Sequence, residues 1–79
     1  IDLSNKNIVF GRAGKILRGR ETGFFVKFEH DPENSGGYYI YTSRSITFTG
    51  PDSFDAWVEN MDDLVSFFQE SNWLIEWLD

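Results

Sequence analysis

The residues of this chain that could do chemistry are mainly carboxylates, and they are concentrated in its C-terminal part. Residues 51–79 contain eight acidic residues and no Lys or Arg, which gives this segment a net charge of −8. Residues 1–50 contain seven basic and five acidic residues, so the whole chain carries −6. Because like charges repel, folding alone gives no reason to gather them on one segment. The pattern therefore indicates a surface that binds a basic partner.

Five acids and two tryptophans are the candidate binding residues. The acids fall on one predicted helix, away from its apolar stripe. Some lie four residues apart, where each like-charged pair costs roughly a few tenths of a kcal/mol. Tryptophan is a common anchor of protein interfaces. The predicted partner-binding residues are Asp55, Glu59, Asp62, Asp63, Glu70, Trp73 and Trp77. The alternative interpretation is a solvated helix face that keeps a small protein in solution, with the tryptophans in the core.

No set of residues predicts catalysis, a metal site or a cofactor. His30 is the only histidine and no cysteine is present, so a nucleophile with an assembled base is not indicated. The loop 31–36 places oxygen-bearing side chains at alternate positions before a glycine, as a calcium loop does, but Thr42 stands where a closing Glu is needed. The segment 11–16 has a Gly-Lys pair, but it lacks the first glycine and the hydroxyl of a phosphate-binding loop. We expect a protein that is not an enzyme.

A group of basic residues precedes the aromatic strands, an arrangement that is found in some single-strand nucleic-acid platforms. The group consists of Arg12, Lys15, Arg18 and Arg20. The net charge of −6 is the opposite of the usual balance in nucleic-acid-binding domains. Nucleic-acid binding is therefore an unfavoured alternative.

The elements that must position these residues are several strands followed by a helix. Residues 7–10, 15–18, 24–30, 38–43 and 45–49 read as strands, separated by turns rich in glycine. The helix is predicted from an apolar stripe at helical spacing that begins at Phe54 and ends at Phe68. Its predicted N-cap is Asp52, with Ser53 as the alternative, and Ser71-Asn72 is its predicted end. For residues 73–78 a strand is favoured over a continuation of the helix, because Trp and Ile suit strands.

These elements predict one domain, 1–79, of the α+β class. We expect an antiparallel β-meander of three to four strands, one amphipathic helix packed on one face of the sheet, and a C-terminal strand. Fourteen aromatic residues supply large side chains for a small core. The absence of cysteine favours a cytoplasmic location. The longest apolar run, 38–41, is far shorter than a membrane span, so we expect no membrane association.

A small, acidic, cysteine-free α+β domain with a one-sided negative segment, residues 52–79, resembles the small immunity proteins of bacterial toxin systems. The resemblance is one of size, charge and this segment. It implies an inhibitor that covers the basic site of a toxin or nuclease. The acids of the predicted helix would then stand in for phosphates, beside Trp or Tyr anchors.

Two other functions fit the same sequence. The first is a non-catalytic interaction or homo-oligomerisation module, in which the apolar strand 73–78 pairs two copies along an exposed edge. The second is a weak nucleic-acid binder that uses the basic strand face. Both differ from the inhibitor in the partner that they require.

Overall fold

The computed structural model describes residues 8–78, which form a five-stranded antiparallel sheet and one helix. The strands lie in the order β4-β3-β2-β1-β5, so β1 to β4 form a meander and β5 adds to its first strand. This confirms the predicted α+β architecture with a C-terminal strand. The elements in chain order are β1 Gly14–Arg18, β2 Phe25–Asp31, β3 Gly37–Ser43, β4 Ser53–Val58, α1 Met61–Ser71 and β5 Leu74–Trp77. Asn7 and Asp79, which belong to predicted features, lie outside the described residues.

The register of the strands divides the sheet into two faces. Phe28 pairs with Ile40, and Ile40 pairs with Ala56, so these three side chains share one face. Helix α1 covers this face through Leu64 and Phe68, and the rings of Phe28 and Phe68 stack with centroids 6.0 Å apart. The fully buried part of the core consists of Ile16, Val26, Phe28, Ile40, Leu64, Phe68 and Trp73. The opposite face carries no helix among the described residues.

Helix α1 begins later than the sequence predicted. It starts at Met61, and its N-cap is Asn60, whose side-chain oxygen accepts a hydrogen bond of 2.8 Å from the Asp63 amide. The predicted first turns, including Asp55, form β4 instead, and Asp52 is not the cap. The apolar residues of 53–58 fit the alternation of a strand as well as they fit a helical stripe. Pairing with β3 satisfies the backbone hydrogen-bonding groups of this segment on one side.

The predicted strand 45–49 is also wrong, because these residues form the connection between β3 and β4. Three hydroxyls bond to one another along this segment, Ser45 to Thr47 at 2.7 Å and Thr47 to Thr49 at 2.8 Å. Such local bonds by Ser and Thr compete with the pairing of strands. The predicted strand 7–10 is represented among the described residues by an isolated bridge between Phe10 and Phe28.

The end of the helix agrees with the prediction. Asn72 caps α1 in the left-handed conformation, with φ of 56°, and β5 follows at once. The alternative in which the helix continues through 73–78 is wrong. Strand β5 pairs antiparallel with β1 at one edge of the sheet, whereas β4 forms the other edge. The helix therefore carries the chain from one edge to the other across the core face.

Candidate partner-binding surfaces

The five predicted acids do not lie on one helix face. Asp62, Asp63 and Glu70 are on α1, Glu59 is in the β4–α1 connection, and Asp55 is on β4. Asp55 pairs with Tyr41 and therefore faces away from the helix, on the opposite side of the sheet. The prediction of a single acidic helix face is thus corrected to two separate groups of acids.

Three of the acids meet in an open cleft beside the helix, which we call the acidic cleft. Its volume is about 440 Å³, and it is lined by Trp57, Val58, Glu59, Asp63, Ser66, Phe67 and Glu70. Asp63 and Glu70 are two helical turns apart and so share one face of α1. Asp62, which is exposed in the first turn, does not line the cleft. The acidic cleft thus combines carboxylates with the half-buried ring of Phe67 and the exposed ring of Trp57.

The position of Glu70 is unfavourable for the helix itself. It lies in the last turn of α1, where the aligned carbonyl groups favour a cation, and this turn contains no basic residue. Asp62 and Asp63 in the first turn are, in contrast, well placed with respect to the helix dipole. Helix stability therefore accounts for the acids of the first turn, whereas it does not account for Glu70.

The carboxylates of the acidic cleft have no cationic partner within the described chain. Two ion pairs occur in residues 8–78: Lys27 with Glu29 at 3.3 Å and Arg44 with Asp52 at 3.5 Å. Neither involves an acid of the cleft. The negative charge at this surface is consequently available to another molecule.

The two tryptophans differ in their surroundings. Trp73 is only 3% exposed and packs against Phe28, Phe67 and Phe68, so the surface anchor expected there is a core residue instead. Trp77 is half-buried, with its ring centroid 5.9 Å from that of Phe28. Its contribution to partner binding stays a prediction.

The sequence analysis missed the uncovered face of the sheet, which is rich in aromatic residues. Tyr39 and Tyr41 stack along β3 with centroids 5.7 Å apart, and Trp57 lies across from Tyr39 on β4. The Trp57 ring covers Gly37, where an added Cβ would lie 2.4 Å from a ring carbon, and its Nε1 donates to the Ser35 hydroxyl at 2.9 Å. These contacts hold a large aromatic side chain against the outside of the sheet, and it remains 45% exposed.

A pocket of about 420 Å³ lies on this face, and we call it the aromatic pocket. Its lining includes Lys27, Glu29, Asp31, Tyr39, Tyr41 and Phe48. Burial raises the pKa of the Tyr41 hydroxyl above its usual value, and repulsion from ionised Tyr39 and from the carboxylates of Glu29, Asp55 and Asp31 adds to the shift.

The alternation in 24–30 and 38–43 was the signal that could have revealed this surface. It predicts two faces for each strand, but aromatic residues on both faces of β3 make either face a candidate for the core. The choice depends on the register with β4 and on the position of the helix, which the sequence did not supply.

The remaining motifs have structural roles. The Asp31 carboxylate accepts hydrogen bonds from the Ser35 amide and the Asn34 side chain, both at 3.2 Å, so it organises the β2–β3 turn. His30 is exposed and stacks on Tyr38 with centroids 4.3 Å apart. No cluster of metal-binding side chains occurs in residues 8–78. In the same range, no helix combines the length and apolar character that a bilayer crossing requires.

Comparison of the chain with protein-family models, with curated proteins and with solved structures gave no match.

Proposed function

We propose that this protein is a non-catalytic binding domain that holds a basic protein through its acidic cleft, as an immunity protein holds a toxin. The cleft carboxylates would take the place of phosphates at a cationic surface. Phe67 provides an apolar contact beside them. Such a surface raises the rate of encounter with a basic protein and selects against acidic ones.

The observation that supports this proposal is the unused charge of the cleft. Glu59, Asp63 and Glu70 converge on one surface, and none of them takes part in an ion pair of the described chain. Glu70 moreover lies at the helix end that favours cations, where it costs roughly 0.3–1 kcal/mol. A surface that opposes the stability of its own helix is better explained by a partner than by folding.

A second candidate is a homo-oligomer formed through sheet edges. Among the described residues, β4 and β5 each pair on one side only, so both present unpaired backbone groups. Strand β4 is the longer of the two, and it exposes Phe54 by 53% and Trp57 by 45%. These features favour β4 over β5, the strand that the sequence suggested for pairing.

The test of the acidic cleft is affinity capture of basic proteins from the lysate of the native host, followed by purified binding measurements. The cleft variant is Glu59→Gln with Asp63→Asn and Glu70→Gln. The matched control removes the same charge elsewhere, with Glu33→Gln, Asp52→Asn and Glu76→Gln. We expect one basic protein to bind the wild type and the control but to bind the cleft variant at least tenfold more weakly, with an association rate that falls as salt is raised.

Equal binding by the cleft variant and the control would contradict the proposal. If the captured protein has an activity, inhibition of that activity by the wild-type domain but not by the cleft variant would support the inhibitory role. The mass of the purified protein in sedimentation equilibrium tests the second candidate. A monomer at micromolar concentration would exclude a stable homodimer through β4.

A further inference from the structure

The connection between β3 and β4 closes one side of the aromatic pocket. Phe48 has φ of 58°, which is strained for an aromatic residue, and its ring closes the pocket next to Tyr41. A turn bond of 2.9 Å from its amide to the Ser45 carbonyl and the hydroxyl chain from Ser45 to Thr49 hold this conformation. The backbone of Phe48 therefore adopts an unfavourable conformation that keeps its ring against the half-exposed face of the sheet.

The aromatic pocket already contains one cation, the ammonium group of Lys27. The Lys27 ammonium group lies 6.0 Å from the centroid of Phe48 and 3.3 Å from a carboxylate oxygen of Glu29. An aromatic face and a carboxylate thus converge on one positive charge. Such combinations bind cations because the face of the ring is negative and the acid completes the charge balance.

The uncovered face carries more carboxylates than the one that pairs with Lys27. Strand register places three bases on it: Lys15, Lys27 and, opposite Leu74 beyond the irregularity in β1, Arg18. The acids on the same face are Glu29, Asp31, Asp55 and Glu76. Asp55 lies beside Tyr41 and takes part in neither of the two ion pairs of residues 8–78. A carboxylate without a cation therefore adjoins the stacked tyrosines.

We propose that the aromatic pocket binds an arginine side chain from an extended segment of a partner protein. The guanidinium plane stacks on the rings of Tyr39 and Tyr41, and its N–H groups extend past Tyr41 to the carboxylate of Asp55. Asp55 lines an adjoining pocket that shares Tyr41 and Phe48 with the aromatic pocket. Arginine fits better than lysine, because it is planar, stacks on aromatic faces and pairs with carboxylates through two hydrogen bonds. Charge complementarity and the half-buried rings of Tyr39 and Tyr41 together support this occupant.

Nucleic acid is the other ligand that exposed aromatic residues on a sheet accept. Here the acids on the face outnumber the bases, so phosphates would be repelled. The aromatic pocket and the acidic cleft share no lining residue, although the cleft extends to the edge of the sheet at Trp57, opposite Tyr39.

The test uses the whole protein and two synthetic peptides, acetyl-Gly-Arg-Gly-Arg-Gly-amide and its analogue with citrulline in place of arginine. Citrulline keeps the shape of arginine but has no charge. We expect the arginine peptide to shift the ring resonances of Tyr39, Tyr41 and Phe48 in a saturable manner. The citrulline peptide should bind at least about threefold more weakly, as loss of a cation–π contact implies.

Variants locate the site. Tyr41→Leu keeps an apolar side chain without the π face, and Asp55→Asn removes the charge alone. Each should weaken binding of the arginine peptide about three- to tenfold. The cleft variant described above should bind it as the wild type does. Thermal unfolding of each variant shows that the fold is retained.

Three results would overturn the proposal: equal binding of both peptides, shifts confined to the residues of the acidic cleft, or preferential binding of an oligothymidylate of about ten nucleotides. Because the cleft variant is included, failure here is distinguishable from failure of the proposed function. Loss of arginine binding only in the cleft variant would place all cation binding at the helix.

Discussion

The indole nitrogen of Trp73 donates a hydrogen bond of 2.7 Å to the backbone carbonyl oxygen of Arg20. The Arg20 amide in turn donates to the carbonyl oxygen of Ser71 at 3.0 Å. These two bonds fasten the turn between β1 and β2 to the end of α1. The helix is therefore fixed at its C-terminal end by the first hairpin as well as by its packing in the core.

Trp73→Phe should destabilise the protein by about 2–4 kcal/mol, because it removes the part-buried hydrogen bond to the Arg20 carbonyl and creates a cavity in the core. Trp57→Phe is the matched control. It removes an indole hydrogen bond to Ser35 at an exposed position, where the cost should stay below about 1 kcal/mol. Urea unfolding followed by circular dichroism measures both. Similar losses of stability would contradict the assignment of Trp73 to a buried structural role.

Gly19→Ala should be strongly destabilising. An added Cβ would lie 2.4 Å from the Asn72 carbonyl oxygen and 2.5 Å from that of Ser71, and φ is 102°. Backbone atoms at such distances have to move apart, which would break the contact between the turn and the helix. We expect a loss of about 3 kcal/mol or more in thermal or urea unfolding.

Gly11→Ala provides the control for this substitution. Gly11 also has a positive φ, 74°, but no atom lies within 4 Å of an added Cβ. Its cost should be that of the backbone conformation alone, about 1 kcal/mol. If both variants lost the same stability, close packing of Gly19 on the helix end would be refuted.

The β2–β3 turn should weaken in acid. The hydrogen bond from the Ser35 amide, with further help from Asn34, lowers the pKa of the Asp31 carboxyl below its usual value of 3.8. A lowered folded-state pKa stabilises the native protein above that usual value, and the effect is lost as the pH falls through the folded pKa. Asp31→Asn should therefore reduce the decline in stability between about pH 5 and pH 2. Urea midpoints across this range, with Glu33→Gln as the control, measure the difference, and equal slopes would count against it.

Tyr41 should ionise at a higher pH than an ordinary tyrosine side chain. Burial is the main cause, and nearby carboxylates, including that of Asp55, also raise its pKa above 10.0. Because the folded-state pKa is raised, the associated stability is complete below about pH 10 and is lost as the pH rises through the folded pKa. Asp55→Asn should lower the pKa of Tyr41 without returning it to the usual value, because burial persists.

Ring carbon resonances of labelled tyrosine, followed through an alkaline titration, test this expectation. Asp62→Asn removes an exposed charge on the helix side of the sheet and should leave Tyr41 unaffected. A titration of Tyr41 that is the same in the wild type and in Asp55→Asn would show that these two residues do not interact electrostatically.

The fold could be predicted where a local pattern had one interpretation. Strands β2 and β3 and the stop at Asn72 follow from alternation and from a left-handed cap. The start of the helix could not be predicted, because Phe54, Trp57 and Val58 fit both a helical stripe and a strand. Pairing with β3, a contact between distant residues, decided between the two.

The candidate sites could likewise be predicted only in part from the sequence. The excess of acid in residues 51–79 was visible in the sequence, but its distribution over two faces depended on where Asp55 lies. The aromatic pocket joins Lys27, Tyr41 and Phe48 from three different segments. Such a site is a product of strand register and of one loop conformation, neither of which composition or spacing encodes.

The pairing of β5 with β1 has a consequence for folding during synthesis. The meander from β1 to β4 consists of strands that are neighbours in the chain, so it can form as the chain leaves the ribosome. The second edge of β1 stays unpaired until Leu74–Trp77 has been synthesised. Until synthesis reaches that strand, the emerging chain displays an open edge and an apolar face. The interval between the emergence of β4 and that of β5 thus sets how long the nascent domain is exposed to aggregation.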